Sequence, residues 1–434
     1  MSLGVTLLKS LVGFLFVLQM LPVMIYLERK VSAFIQDRVG PNRAFIPGLG
    51  LRLAGVTHTL TDVVKLLFKE DIVPRQANRF YYALAPGLAM FTALMVGAVV
   101  PYCHPLTLTA ADGSSWTLSI QAIDANVGLL FLFAISSLGV YAVVLAGWAS
   151  NNKYSQLGGL RASASMISYE ITLGLAVVGL LLVYNSPDLN VIAAKQGELI
   201  FGFIPRWGVF LQPVAFVLYV VAAFAETNRN PFDLAEGESE LVAGFHTEYG
   251  SFKFALFFMA EYVNIVVQSL VMATLFFGGW QIPWVSHRWL SEPGHAAGVL
   301  KGVLIGVAVV GALAGLKLLS WDRKNRRRWT DARRREGKVL AVLFGFGPAI
   351  TAVVALVLWS GALGVNGGAV TAAVLQFAVL AAKTLAFCLL FIFVRWTTPR
   401  FRYDQLMALG WKYLLPIGLA NLLVTGLLVQ AGIL

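Results

Sequence analysis

Long apolar runs, broken at intervals by short clusters of polar and charged residues, organise this chain. The first run covers residues 3–26 and is closed by Glu28-Arg29-Lys30. A bilayer core about 30 Å thick is crossed by roughly 20 mostly apolar residues in a helix. On that measure ten segments qualify as spans: 3–26, 80–101, 122–147, 166–184, 209–226, 254–280, 298–319, 339–363, 370–394 and 411–432. No small-residue cleavage site follows the first run, so it reads as a retained span and not a removed signal. The predicted fold class is all-α, a polytopic transmembrane helical protein with residues 1–434 in a single membrane domain. Residues 49–70 are too polar to cross. Within them Leu53, Val56, Leu60, Val63, Val64 and Leu67 recur near helical spacing, with Asp62, Lys65 and Lys69 opposite. This predicts an amphipathic helix on the membrane surface, inside a first loop at 27–79.

Composition agrees with the pattern. Hydrophobic residues make up 58% of the chain and charged residues only 13%, against roughly 25% charged in soluble domains. The net charge of +11 would suggest a nucleic-acid partner in a soluble protein. Here its distribution along the chain explains it better, and no nucleic acid is expected. Lys and Arg gather in the first, third, fifth, seventh and ninth loops, most densely between Lys317 and Lys338. The alternate loops carry only Lys195, Arg206, Arg288 and Lys301, with Lys9 near the N-terminus. Positive loops stay on the cytoplasmic side. The odd loops are therefore expected in the cytoplasm and both termini on the periplasmic side. Cys103 and Cys388 are too few for an iron–sulfur cluster, which usually takes four ligands. The five histidines, His58, His104, His246, His287 and His295, show no i, i+4 pair, and no metal site is expected.

The oxygen-rich loop at 227–253 carries the first chemical signal. Asn230 is placed to cap a helix beginning at Pro231, with Asp233 in its first turn. On such a helix Asp233, Glu236 and Glu240 share a face and Glu238 lies off it. Carboxylates so crowded cannot all ionise readily, and proton affinities raised toward neutrality suit groups that load and release protons. The plainer alternative is a solvated acidic loop. The second signal is charge at depth. Glu261 lies inside the sixth span with Asn264 and Gln268 on the same face, and Lys383 lies midway along the ninth with Gln376 two turns earlier. Such charges cost roughly 2.5–3.5 kcal/mol even on a lenient scale and usually line a polar path. Glu28, Glu170 and Glu226 fall at the cytoplasmic ends of their spans. Together these acids can form a chain from loop to membrane interior.

Four segments resemble one family. They are Glu28-Arg29-Lys30 through Phe34 to Gln36-Asp37-Arg38-Val39-Gly40-Pro41-Asn42-Arg43; Trp148-Ala149-Ser150-Asn151-Asn152-Lys153-Tyr154 leading to Ser168-Tyr169-Glu170; Glu226-Thr227-Asn228-Arg229-Asn230-Pro231-Phe232-Asp233 with Glu236, Glu238 and Glu240; and Arg395-Trp396-Thr397-Thr398-Pro399-Arg400. In this order they resemble the H subunit of bacterial NADH-quinone oxidoreductase, counterpart of a core mitochondrial complex I subunit. The similarity covers 1–285 and 370–434. It implies eight family spans, so residues 296–368 read as an inserted helical pair joined by an Arg-rich loop, a topology anchor or a lipid contact. Gly302/Gly306 and Gly311/Gly315 have the spacing of close helix packing. Where the family usually has Gln, four residues before Asp62, this chain has His58.

The resemblance further implies a quinone chamber built with hydrophilic partner subunits, with the acids coupling quinone reduction to antiporter-like membrane subunits. Flavin mononucleotide and iron–sulfur clusters would sit in partner subunits, with no cofactor held by this chain. Glu28, Arg29, Phe34, Arg38 and Asp62 would border the quinone. Glu170, Glu226, Asp233, Glu236, Glu238, Glu240 and Glu261 would carry proton coupling. The nearest rival is the equivalent subunit of an ion-translocating hydrogenase or formate-hydrogen lyase. A stand-alone secondary transporter should show an internal repeat with broken helices, which the sequence does not display. A structural anchor would leave Glu261 and Lys383 unexplained.

Overall fold

The structure is a computed structural model that describes residues 3–46, 52–109, 115–234, 237–292, 294–325, 333–359 and 366–433. Among the described residues nine helices are long and apolar enough to cross a membrane, and Pro213–Glu226 is a shorter apolar helix. The protein is an all-α, multi-pass membrane protein. Spans one to four are Leu3–Ile35, Arg79–Gly97, Gly128–Ala149 and Lys153–Tyr184. Spans five to seven are Gly208–Leu211 continued as Pro213–Glu226, then Ser251–Phe276 and His295–Asn325. Span eight runs from Arg333–Leu340 through a π-helical Ala341–Phe346 into Gly347–Trp359. Span nine is Gly367–Thr397, and span ten runs from Tyr403–Ala408 through a π-helical Leu409–Leu414 into Leu415–Gln430.

Several spans extend beyond their apolar runs. Span one continues to Ile35, and span four begins at Lys153, where Asn152 accepts a hydrogen bond from the amide of Tyr154. Glu28 and Glu170 therefore lie inside helices and not at their ends. The reason is that polar residues at the ends of these helices meet polar partners on neighbouring elements, so the helix persists where hydropathy has already fallen. Span five is broken at Gln212 (φ −135°, ψ 61°), immediately before Pro213, which lacks the amide needed to continue the helix. The buried Gln212 amide is satisfied across to span ten: it donates to Thr425 Oγ1 at 2.8 Å and accepts from Asn421 at 3.0 Å.

Span six is the hub. It packs on spans one, two and nine, while span four packs on three, five and ten. The continuous core between them is almost wholly apolar, with Met24, Leu173, Leu180, Val263 and Val266 fully buried. The surface helix predicted in the first loop is present as Thr57–Phe68, preceded by a turn at Leu53–Gly55. Two short hairpins, Leu106–Thr109 with Ser115–Leu118 and Leu199–Ile200 with Ile204–Pro205, were not legible in the hydropathy pattern.

Spans seven and eight form a hairpin that rests on span nine. The helices cross where Gly311 and Gly315 meet Gly345. A Cβ on Gly345 would collide with the backbone of Gly315. The first residues of span eight touch the Leu53–Gly55 turn. Residues 326–332 of the Arg-rich loop lie outside the described residues.

Candidate functional site

Two features lie on different faces of span one. The first is a cavity of about 660 Å³ between span one, the surface helix and the start of span six. Its walls are mostly apolar, among them Leu18, Ile25, Val63, Phe254, Phe258 and Met259. Arg29 and Asp62 line it too, as an ion pair between span one and the surface helix. The volume falls in the range of small-molecule sites, roughly 300–1,000 Å³.

The second is a buried ionic cluster. Glu28, next in sequence to Arg29 and about 100° away around the helix, points into the core. It pairs with Arg229 of the fifth loop at 3.2 Å and with Arg395 at the end of span nine. The Tyr262 hydroxyl donates to Glu28 at 2.6 Å, and the Arg229 guanidinium stacks over the Tyr262 ring at 4.5 Å. Phe258, one turn before Tyr262, lines the cavity and packs edge-on against it with centroids 4.9 Å apart.

Farther along span six the acids gather. Glu226 and Glu261 line one small cavity of about 60 Å³ together with Asn228, Asn264 and Thr92. That is space for more than one water molecule. Gln268 donates to Glu226 at 2.7 Å and accepts from the Tyr219 hydroxyl at 2.7 Å. Glu170 of span four is close enough to Glu226 for their charges to interact, and Glu261 interacts likewise with Arg229. Glu226 and Glu261 thus share a polar cavity, with Glu170 near one and Arg229 near the other.

The acidic loop differs from its predicted form. No helix begins at Pro231; the Asn230 side-chain oxygen caps nothing, and its NH2 group turns to the end of span nine instead. It donates to the carbonyls of Arg395 and Thr398 (2.9 and 3.1 Å), and the Phe401 amide donates to Pro231 O, stitching the loop to the end of span nine. Among the described residues from Pro231 to Leu241 only Glu238–Leu241 is helical, so Asp233 and Glu240 do not share a helix face. Each has its own cation instead: Asp233 pairs with Arg400 at 2.9 Å and Glu240 with Arg161 at 2.6 Å. Burial pushes the Asp233 carboxyl up to about 6, with the Arg400 charge opposing the shift. Glu236 lies outside the described residues, as does the side chain of Glu238.

The remaining candidates separate by position. Phe34 is 70% exposed on the last turn of span one, and Arg38 donates to Gln36 at 2.7 Å in an exposed stretch. Neither lines the large cavity. Lys383 is held by backbone carbonyls. Its ammonium donates to the carbonyls of Phe277, Gly279 and Gln281 at 2.7–2.8 Å. It thereby fastens the turn just beyond span six, whose C-cap Phe277 and following residues supply the acceptors. Gln376 is engaged elsewhere too. It accepts from the His104 amide and meets His287 Nδ1, both at 3.0 Å, beside the stacked rings of His104 and His287 (centroids 3.6 Å apart). Burial, then the neighbouring His104, hold His287 down at about 4. This pairing was invisible in sequence because the two histidines come from different loops. Among the described residues no group of three or more His, Cys, Asp or Glu is placed to hold a metal ion.

Fold and site together define a polytopic membrane protein in which an apolar cavity lies beside the buried Glu28 and a group of half-buried acids. A sequence model of the NADH dehydrogenase family matches residues 8–426. Subunit 8 of the NADH-quinone oxidoreductase of Rhodothermus marinus is 41% identical, over 96% of this chain and 96% of its own length. The H subunit of the Bdellovibrio bacteriovorus enzyme is 40% identical over 97% and 95%, and an H subunit of Solibacter usitatus 40% over 98% and 96%. The chain belongs to this family, the H subunits of NADH-quinone oxidoreductase.

Proposed function

We propose that this chain is the membrane subunit that completes the quinone chamber of a proton-translocating NADH:quinone oxidoreductase and passes the energy of quinone reduction to buried acids. One observation carries the reading. Glu28 and Arg29 are adjacent on a single helix, yet Arg29 faces the 660 Å³ cavity and Glu28 the ionic cluster that leads toward Glu261 and Glu226. A quinone is an apolar tail with a polar head. The cavity offers apolar walls for the first and the Arg29–Asp62 pair for the second. A change of charge at the head acts on Arg29, and through the rigid turn of span one on Glu28, Arg229 and the acids beyond.

In this reading the hydrophilic partner subunits hold flavin and iron–sulfur clusters and close the chamber over the exposed Phe34 and Arg38, while antiporter-like subunits receive the coupling. The odd loops face the cytoplasm of a bacterial inner membrane and the termini the periplasm, as the positive charge asymmetry requires. Asp233 and Glu240 form the loop end of the acid chain and Glu226, Glu170 and Glu261 its interior; Glu236 and Glu238 stay candidates on sequence alone. Photolabelling of the assembled enzyme with an azido-quinone tests the placement. Label should appear in peptides from span one, the surface helix or the start of span six, and a surplus of unmodified quinone should suppress it. Specific label confined to other segments would sink the reading.

A further inference from the structure

Segment 42–46 of the first loop is held down on the surface helix by a set of anchors. The amides of Arg43 and Ala44 both donate to Nε2 of His58, each at 3.0 Å. Thr57 Oγ1 donates to Ala44 O at 2.8 Å. Lys30 Nζ and Arg52 Nη1 donate to the carbonyls of Pro41 and Asn42 at 3.1 and 3.2 Å. Gly55, at φ +95°, packs so closely on Pro41 that a Cβ would collide with its carbonyl oxygen. The surface helix that receives the segment lines the large cavity with Thr59, Asp62 and Val63, directly after His58.

One of these anchors depends on a lone pair that a proton can take. An imidazole nitrogen that accepts two N–H bonds is unprotonated, with the ring hydrogen on Nδ1. Protonation of Nε2 converts the acceptor into a donor and sets three N–H groups against one another. The hydroxyl, the carbonyls and the Lys and Arg donors keep their roles between about pH 5 and 8, where imidazole is the side chain that changes charge. A Gln carboxamide oxygen, by contrast, accepts two hydrogen bonds at any pH. The charged groups on the elements packed around His58 are Arg43 and Arg52 in the loop, Glu28, Arg29 and Lys30 at this end of span one, and Lys253 and Glu261 on span six. To these are added Asp62 and Lys65 on its own helix and Lys338 at the start of span eight.

We propose that His58 is a positioning residue that fastens segment 42–46 over the surface helix only in its neutral form, so that the wall of the quinone cavity loosens in acid. The consequence for the cavity rests on the reading of that cavity as the quinone chamber; the fastening does not. Only the neutral ring offers Nε2 as an acceptor to the two amides, so fastening belongs to the alkaline side.

Hydrogen exchange of peptides covering Arg43 and Ala44, measured on the whole assembled enzyme, separates the two parts. Wild type and His58→Gln are compared between about pH 7.5 and 5.5, so that intrinsic exchange cancels. Protection should agree at the alkaline end. At the acid end the wild-type amides should exchange roughly tenfold faster than those of His58→Gln, as expected for the loss of one net hydrogen bond. His58→Ala should exchange fast throughout. Equal exchange of wild type and His58→Gln at both ends would overturn the proposal, whatever the turnover does. Quinone turnover, as the ratio of wild type to His58→Gln, should fall with pH in parallel. Diverging exchange with coincident turnover profiles would overturn the consequence for the cavity while leaving the fastening in place.

Discussion

Replacing Glu28 with Gln removes the one carboxylate shared by Arg229, Arg395 and Tyr262. Glu28 is 7% exposed and Arg229 4%, so the guanidinium left behind has little water to turn to. Breaking a buried pair by removing one partner costs roughly 3–5 kcal/mol, most of it the uncompensated charge. The effect should be distinguishable from that of losing an exposed pair. Glu198 and Arg206, 2.8 Å apart with the carboxylate 60% exposed, supply the control; such pairs are worth about 0–1 kcal/mol. Expressed as assembled enzyme in the membrane and as half-life of thermal inactivation, Glu28→Gln should fall well below Glu198→Gln. The double variant Glu28→Gln with Arg229→Gln removes the stranded charge and should recover a substantial part of the loss, with non-additivity of at least about 1 kcal/mol. If Glu28→Gln is as stable as Glu198→Gln, or if the double variant is simply the sum of the two singles, the ionic cluster does not join spans one, six and nine as described.

Other consequences follow from the same geometry. Lys383→Met strands three carbonyls just beyond span six, each worth roughly 1–3 kcal/mol when unsatisfied; the amount of assembled enzyme should fall while quinone turnover per assembled enzyme is retained, as judged by native gels alongside activity. Asp233, with its carboxyl pushed up to about 6 from an ordinary 3.8, favours its protonated form in the fold. Its contribution to stability is complete below about pH 4 and is lost as pH rises through about 6. Asp233→Asn should therefore abolish an inflection near pH 6 in thermal inactivation profiles, and an unchanged inflection would assign it to another group. Gly345→Val should pry spans seven and eight apart, since its Cβ branch falls on the Gly315 backbone. Disulfide trapping between cysteines introduced on the two helices near this crossing should fall sharply.

The spans were legible because twenty apolar residues in a row have few other uses, and each predicted segment overlaps an observed helix. Span ends were not, because Glu28 and Asn152, at the ends of spans one and four, are held by partners far away in sequence. The break at Gln212 had one local sign, Pro213, but the Asn421 and Thr425 that satisfy it lie on span ten. The same distance hid the partners of Lys383, three carbonyls just beyond span six. Crowding among the loop acids also read differently in sequence. Arg400 and Arg161, remote in the chain, each take one carboxylate from the group. Glu261, Asn264 and Gln268 were placed correctly on one face because helical periodicity alone decides it.

The central claim is that quinone reduction acts through the acids shared by spans five and six. Its most direct test is Glu226→Gln, with Glu261→Gln in parallel, in membranes that contain the assembled enzyme. NADH-to-quinone electron transfer and the accompanying proton movement should fall by roughly a hundredfold, the scale of a lost proton-transfer group, while NADH oxidation by an artificial acceptor persists. Quinone turnover and proton movement at wild-type rates in both variants would contradict the account.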